Sequence, residues 1–179
     1  VFKQFVSDNT HIYDLGCSTG KFIKSLSKIN KYKDVKFIGI DNAENMIDFA
    51  KKYNRVKDIQ YQNNDIRKVR FKKSNFIICL FTLQFIKNKK DRLNILKKIY
   101  SSLNVGGALV LAEKIYYEDR FYADLVQNSY FSWKKLNKFS KDEILYKAKL
   151  LRGVLSPMTS KENYQMIKKS GFDNINTLL

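Results

Sequence analysis

The sequence predicts an α/β domain, an open and mainly parallel sheet flanked by helices. Three observations lead there. Short apolar runs alternate with stretches of helical period from His11 to Lys114. One run, "SNFIICLF" at residues 74–81, is almost continuously apolar, the pattern of a strand covered on both faces. The first three predicted strands lead into Gly16, Asp41 and Asp65, so glycine and carboxylate gather at one rim.

Taken in order, His11–Leu15 reads as the first strand and Lys21–Lys28 as a helix with Phe22, Ile23 and Leu26 on one side. "VKFIGID" (35–41) is the second strand, followed by a helix through Met46, Ile47 and Ala50. "IQYQNND" (59–65) is the third, ending at Asp65, and residues 74–81 are the fourth. Leu93, Leu96, Ile99, Tyr100 and Leu103 then recur at helical spacing, with the glycines of Asn104–Gly107 expected to stop that helix. "ALVLAEK" (108–114) is the fifth strand. Residues from about 117 to 171 read as a mostly helical insertion, and "GFDNINTLL" (171–179) as the start of another strand. Right-handed crossovers then place a ligand at the carboxyl ends of the strands, where the strand order reverses.

The 179 residues suit a single domain, 1–179, long enough to bury a core. A content of 44% hydrophobic and 14% aromatic residues excludes a disordered chain. Pro157 is the only proline and no Gly/Ser-rich tract marks a linker. Cys17 and Cys79 are too few for a disulfide framework and suit a reducing, cytoplasmic setting. No apolar run reaches the length of a membrane span. The first residue is Val1 rather than Met, which fits a fragment of a longer protein. The net charge of +17 favours polyanions, so an RNA partner is open. The lysines are nevertheless dispersed (Lys28, Lys51, Lys72, Lys89, Lys134, Lys168), and a solvated surface explains them equally well.

The densest motif is "IYDLGCSTGKF" at 12–22. Gly16 permits a turn without a Cβ, and Gly20 lets a helix begin close to the sheet and a ligand. Ser18 and Thr19 are small hydroxyl residues suited to capping that helix. Ser18 stands where G-x-G-x-x-G has its second glycine, so a plain strand-to-helix turn is the alternative. Asp41 lies 21 residues beyond Gly20, close to the spacing at which a carboxylate accepts both hydroxyls of a ribose. Its alternative, or that of Asn42, is to cap the next helix. The same acid would repel a 2′-phosphate, which argues against NADP. Asp65 could accept from an adenine amino group with Ile66 packed on the ring, or cap a turn. No P-loop is present, the lone His11 reads as structural, and no Cys/His cluster suggests a metal. Cys17 reads as a space-filler. Trp133, Tyr130 and Phe131 read as a core aromatic cluster, with a substrate wall as the alternative.

"YDLGCSTG", "IGIDNAENMI", "NDIR", "FTLQFI" and "KIYSSLNVGGALVLAEK" together resemble the Rossmann-like, class I S-adenosylmethionine-dependent methyltransferases. "FTLQF" and "LNVGGALVLAEK", with the later "FSKDEI" and "GF", are similar to the carboxy-S-adenosyl-L-methionine synthase family in particular. The resemblance runs along nearly the whole chain, and it implies a class I methyltransferase fold lacking its last antiparallel strand. It also implies an enzyme that joins a carboxyl group from prephenate to the sulfonium methyl of S-adenosyl-L-methionine, releasing phenylpyruvate. The methyl loses a proton and the resulting ylide captures carbon dioxide, in a pocket dry enough that water does not return the proton. A partner enzyme then uses the product on the wobble uridine of tRNA. A homodimer is implied, and neither a metal nor a membrane is. On this resemblance Gly16, Cys17 and Ser18 line the methionine part of the cofactor, Asp41 and Asn42 the ribose, and Asp65 and Ile66 the adenine. Two positions depart from the family: Leu80 replaces an Asn, and Tyr146-Lys147-Ala148 replaces a Gln-Lys-Arg whose Arg holds the new carboxylate. Lys147, Lys149 or Arg152 are the candidate replacements. A conventional methyltransferase acting on tRNA or a small molecule is the alternative, and a non-enzymatic binding module the third reading.

Overall fold

The structure is a computed structural model that describes residues 2–177. Five strands, β1 His11–Leu15, β2 Lys36–Asp41, β3 Ile59–Asn63, β4 Ser74–Leu80 and β5 Leu103–Ala112, form one sheet. Its order is β3-β2-β1-β4-β5 and every neighbouring pair is parallel. The order reverses between β1 and β4, so a crevice opens at their carboxyl ends.

Strand periodicity decides which side chains meet which helices. Ile12, Phe37, Phe76 and Ile78 point to one face, covered by α1 Phe2–Phe5, α2 Lys21–Ile29 and α3 Glu44–Tyr53. Tyr13, Leu15, Ile38, Ile40 and Ile77 point to the other, against α4 Lys89–Ser102. Ile12 and Leu15 are fully buried, each contributing about 1.5–3 kcal/mol relative to an exposed side chain. Residues beyond β5 form α5 Arg120–Leu136, α6 Lys141–Leu151 and α7 Ser160–Lys169. The last packs on α4 and sends Met166 and Ile167 toward the second core. Capping boxes start α6 at Ser140 with Glu143 and α7 at Thr159 with Glu162.

Four expectations need correction. Helix α4 is stopped by extended backbone at Leu103, not by glycine; β5 starts there and passes through Gly106, at φ +77°, across a register shift against β4. The same strand ends at Ala112, because Glu113 turns back toward β4. Residues 172–177 form no strand: the Gly171 turn lets Phe172 dock edge-on against Tyr100 instead, ring centroids 5.1 Å apart. Leu178 and Leu179 lie outside the described residues. Trp133 and Tyr130 are not core: they stack on each other along α5, which buries none of its residues, and Trp133 is 54% exposed. Among the described residues no helix is long and apolar enough to cross a membrane.

Candidate functional site

The loop after β1 is pinned to the end of β2. The Gly16 and Cys17 amides donate to the Ile40 carbonyl at 2.8 and 3.0 Å, and the Ser18 amide donates to Asp41 Oδ2 at 2.8 Å. A Cβ on Gly16, at φ +77°, would lie 2.1 Å from Thr82 Oγ1. That hydroxyl donates to the Leu15 carbonyl at 2.8 Å, so the ends of β1 and β4 touch here. A Cβ on Gly20, at φ +74°, would lie 2.5 Å from the Tyr61 ring. Both glycines are therefore required by position and by backbone. Ser18 and Phe81 also adopt positive φ, 50° and 56°, on either side of the crevice. Strain of this kind gathers where a fold holds a ligand. Gly20 itself is the N-cap of α2, without a side-chain cap bond, so the hydroxyls of Ser18 and Thr19 do not cap the helix.

Asp41 joins the first three strand ends. Its Oδ1 accepts from the Ala43 amide at 2.9 Å, and its carbonyl accepts from the Asn64 amide at 3.0 Å. Neither Asp41 nor Asn42 is the N-cap of α3, which is Ala43, and Asn42 is exposed at the rim. Asp65 is brought to the same rim but is already engaged: both oxygens accept from Arg67 Nε, at 3.0 and 2.9 Å, which holds its carboxyl below the usual range. The Ile66 side chain is buried among the apolar residues of β1 and β2.

Sequence reasoning missed Asp14. This carboxylate sits on β1 between Gly39 of β2 and Ile78 of β4, is 3% exposed, and its Oδ2 has no hydrogen-bond partner. Burial, and then the charge of Asp41, pushes it up to about 7. Burial likewise raises the Cys17 thiol, in keeping with a space-filler, and pushes the Tyr61 hydroxyl up to about 12. The available signal was an acid inside an otherwise apolar strand, "HIYDL", where burial is expensive unless something compensates it.

A second missed residue is Glu113. Its Oε1 accepts from the amides of Thr82 and Leu83 at 3.2 and 2.9 Å, and its Oε2 from Gln84 at 2.7 Å. The carboxylate thus caps the 3₁₀ turn Leu83–Phe85. Burial raises its pKa while these amides pull it back down. Arg92, almost wholly buried, holds the other side of that turn by donating to the carbonyls of Ile86 and Ser156. "FTLQF" and "AEK" are therefore one structural unit.

Residues 12–107 match the family of methyltransferase domains. Carboxy-S-adenosyl-L-methionine synthase of Staphylococcus epidermidis is 36% identical over 173 residues, 97% of this chain and 75% of that protein. The synthase of Nautilia profundicola is 37% identical over 177 residues, 98% of this chain and 74% of that protein. The chain belongs to the carboxy-S-adenosyl-L-methionine synthase family. It is a transferase of the S-adenosylmethionine-dependent methyltransferase superfamily. Solved structures share its fold at low identity. Human N-acetylserotonin methyltransferase in complex with SAM has a TM-score of 0.62 at 18% identity, covering 92% of this chain and 42% of that one. A chain from the complex of the Haloferax volcanii Trm112 methyltransferase activator with a methyltransferase has a TM-score of 0.66 at 16% identity, covering 95% of this chain and 65% of that one. Of the two positions singled out in the sequence, Leu80 ends β4 on the sheet face that carries Asp14, and Ala148 is exposed on α6.

Proposed function

We propose that this chain converts S-adenosyl-L-methionine and prephenate to carboxy-S-adenosyl-L-methionine and phenylpyruvate, and that a tRNA-modifying partner uses the product on wobble uridine (cmo5U34). The near full-length match to relatives of that name carries the reading. The residues at the carboxyl rim fit the cofactor. Asp14 is a buried carboxylate lacking a partner, and a ligand cation would compensate it. Gly16 and Gly20, packed against Thr82 and Tyr61 where a Cβ would sit, hold the loop in the turn that brings Cys17 and Ser18 to the rim. Asp41 takes the ribose, with Asn42 beside it, and exchanges one of its present amide bonds for a hydroxyl. The Ile66 amide meets the adenine edge, and Asp65 does so only by sharing its carboxylate with Arg67. When bound, S-adenosyl-L-methionine supplies a sulfonium methyl that can lose a proton. Leu80, packed against the first core at the end of β4, adds an apolar side chain beside the crevice, as a pocket that must keep water out requires.

The second copy in a homodimer is the occupant proposed for α5. Tyr122, Val126, Tyr130 and Trp133 recur at helical spacing on this helix, all exposed. A carboxylate-holding cation then comes from Lys147, Lys149 or Arg152. Full-length protein mixed with S-adenosyl-L-methionine and prephenate is expected to yield a cofactor heavier by one carboxyl group, with phenylpyruvate in equal amount. Transfer of labelled methyl to tRNA or a metabolite without prephenate would instead establish a conventional methyltransferase, the reading that Leu80 and Ala148 favour.

A further inference from the structure

The crossover from β3 to β4, residues 64–73, contains no helix, although it must pass over β2 and β1. It does so on the α4 side, where Val69 and Phe71 pack with Tyr13 and Ile38. A loop covers less of a sheet than a helix does. Gln60 and Gln62 of the edge strand alternate with Tyr61, which is buried on the opposite face, so amides line the uncovered margin. The result is a cavity of about 430 Å³ near the amino-terminal ends of β1, β2 and β3, bordered by Lys36, Lys57, Arg70 and Lys72, with Asp58 the one carboxylate among its lining residues. All four cations are exposed, and among the described residues none lies within ion-pairing distance of a carboxylate.

A second cavity, of about 400 Å³, flanks the same loop. It shares Arg70 and adds Lys68, Lys73 and Lys98. Lys73 and Lys98 donate to the carbonyls of Ser101 and Arg67, which fixes them without neutralising their charge. Unneutralised cations concentrated around adjoining concavities repel one another and draw in an anion. The fold thus brings Lys36, Lys57, Lys68, Arg70, Lys72, Lys73 and Lys98 together around one loop.

We propose that this amino-terminal face of the sheet docks RNA. One nucleotide seats in the first cavity, with Gln60 and Gln62 reading its base edge, and the neighbouring phosphates lie along Arg70, Lys72, Lys68 and Lys73. The volume is within the range of small-ligand sites, and amides serve as both donor and acceptor to a base. An acidic peptide would leave the apolar floor of Ile38 and Val69 unused, and a membrane surface would not enter a concavity. Five-residue strands separate this face from the carboxyl rim by about 15 Å. It is therefore a docking site, separate from the proposed cofactor site and independent of what reaction occurs there.

The test is fluorescence anisotropy of the full-length protein with a labelled twelve-nucleotide oligouridylate. Four neutralised phosphates predict a log–log salt slope near about −2.8, hence affinity falling about 50-fold between 50 and 200 mM salt. Arg70→Ala with Lys72→Ala is expected to reduce that slope by about 1.4 at an unchanged unfolding midpoint. Lys68→Ala with Lys73→Ala is a second, independent pair, expected to do the same. Gln60→Ala weakens binding at unchanged slope. Lys141→Ala with Lys161→Ala, removed from the face, leaves affinity within about twofold. Equal losses in this control pair, displacement by polyglutamate at matched charge, or tighter binding of phosphatidylserine vesicles through the same cations would each overturn the assignment to RNA.

Discussion

Asp14→Asn isolates the charge on which the proposed cofactor site turns. The folded-state pKa of Asp14 is raised from 3.8 to about 7, so folding favours its protonated form. Its contribution to stability is complete below the unfolded-state value and is lost as pH rises through about 7. A tenfold change in the protonation equilibrium is worth about 1.4 kcal/mol. Integrating linkage between pH 5.5 and 8.5, this one group costs about 2 kcal/mol of stability, and about 4 kcal/mol over its whole range. Urea unfolding of the cofactor-free protein and of Asp14→Asn at both pH values gives the double difference, in which every other titrating group cancels. The variant is expected to lack that pH dependence of about 2 kcal/mol. If a cofactor cation binds the ionised carboxylate, affinity for S-adenosyl-L-methionine in the native protein rises about tenfold from pH 6 to pH 8, with proton release. That rise disappears in Asp14→Asn. Parallel pH slopes for the two proteins, in unfolding and in calorimetric titration alike, would refute both the burial and its compensation.

Gly20→Ala places a Cβ against the Tyr61 ring at positive φ and is expected to cost about 1–3 kcal/mol, read as a fall in urea midpoint with weaker cofactor binding. Glu113→Ala leaves three turn amides without their acceptor and is expected to cost about 2–3 kcal/mol, whereas Glu113→Gln, keeping one acceptor oxygen, costs less; thermal unfolding separates them. Trp133→Asp places a charge in the proposed α5 interface; light scattering is expected to show a dimer mass for the unaltered protein and half that mass for the variant, with the far-ultraviolet circular dichroism unchanged. Ala148→Arg is expected to leave phenylpyruvate formation within about twofold, because a replacement cation already serves; a rise of about tenfold would mean the carboxylate holder has been lost.

The half of the site built from Gly16, Asp41 and Asp65 is legible in the sequence because each lies at a strand's end or within two residues of it. An apolar run stops, a glycine or an acid comes next, and parallel topology brings the three ends together. Spacing alone places Gly16 and Asp41. It does not place their partners: that Asp41 holds the Ser18 amide, or that Asp65 is spent on Arg67, depends on rotamers of neighbouring loops. Ile66 is named by the sequence, but an apolar residue just past a strand can serve ligand or core, and its burial with Tyr13 and Ile38 is not written in its neighbours. The α5 aromatics have a period that fits burial in a core, but a period tells which residues share a face without telling what covers it.

The β4–β5 half is illegible for a different physical reason. Its organising contact runs from Glu113 to amides some 30 residues earlier, and no local propensity announces a carboxylate that caps a distant turn. Yet the two stretches it joins, "FTLQF" and "ALVLAEK", are those that most narrowly resemble one family. The coincidence has a cause. A 3₁₀ turn beside the crevice can keep its shape only if its three leading amides are satisfied, and here the acceptor, Glu113, and the clamp, Arg92, come from different elements. Residues so coupled can change only together, so the turn, its acid and its arginine should persist or vanish as a set. Leu80 lies outside that set, at the end of β4 on the face that carries Asp14, so a change there varies what lines the crevice while Glu113 and Arg92 keep its frame. Variation of that kind changes which small anion fits the pocket before it changes whether the pocket exists.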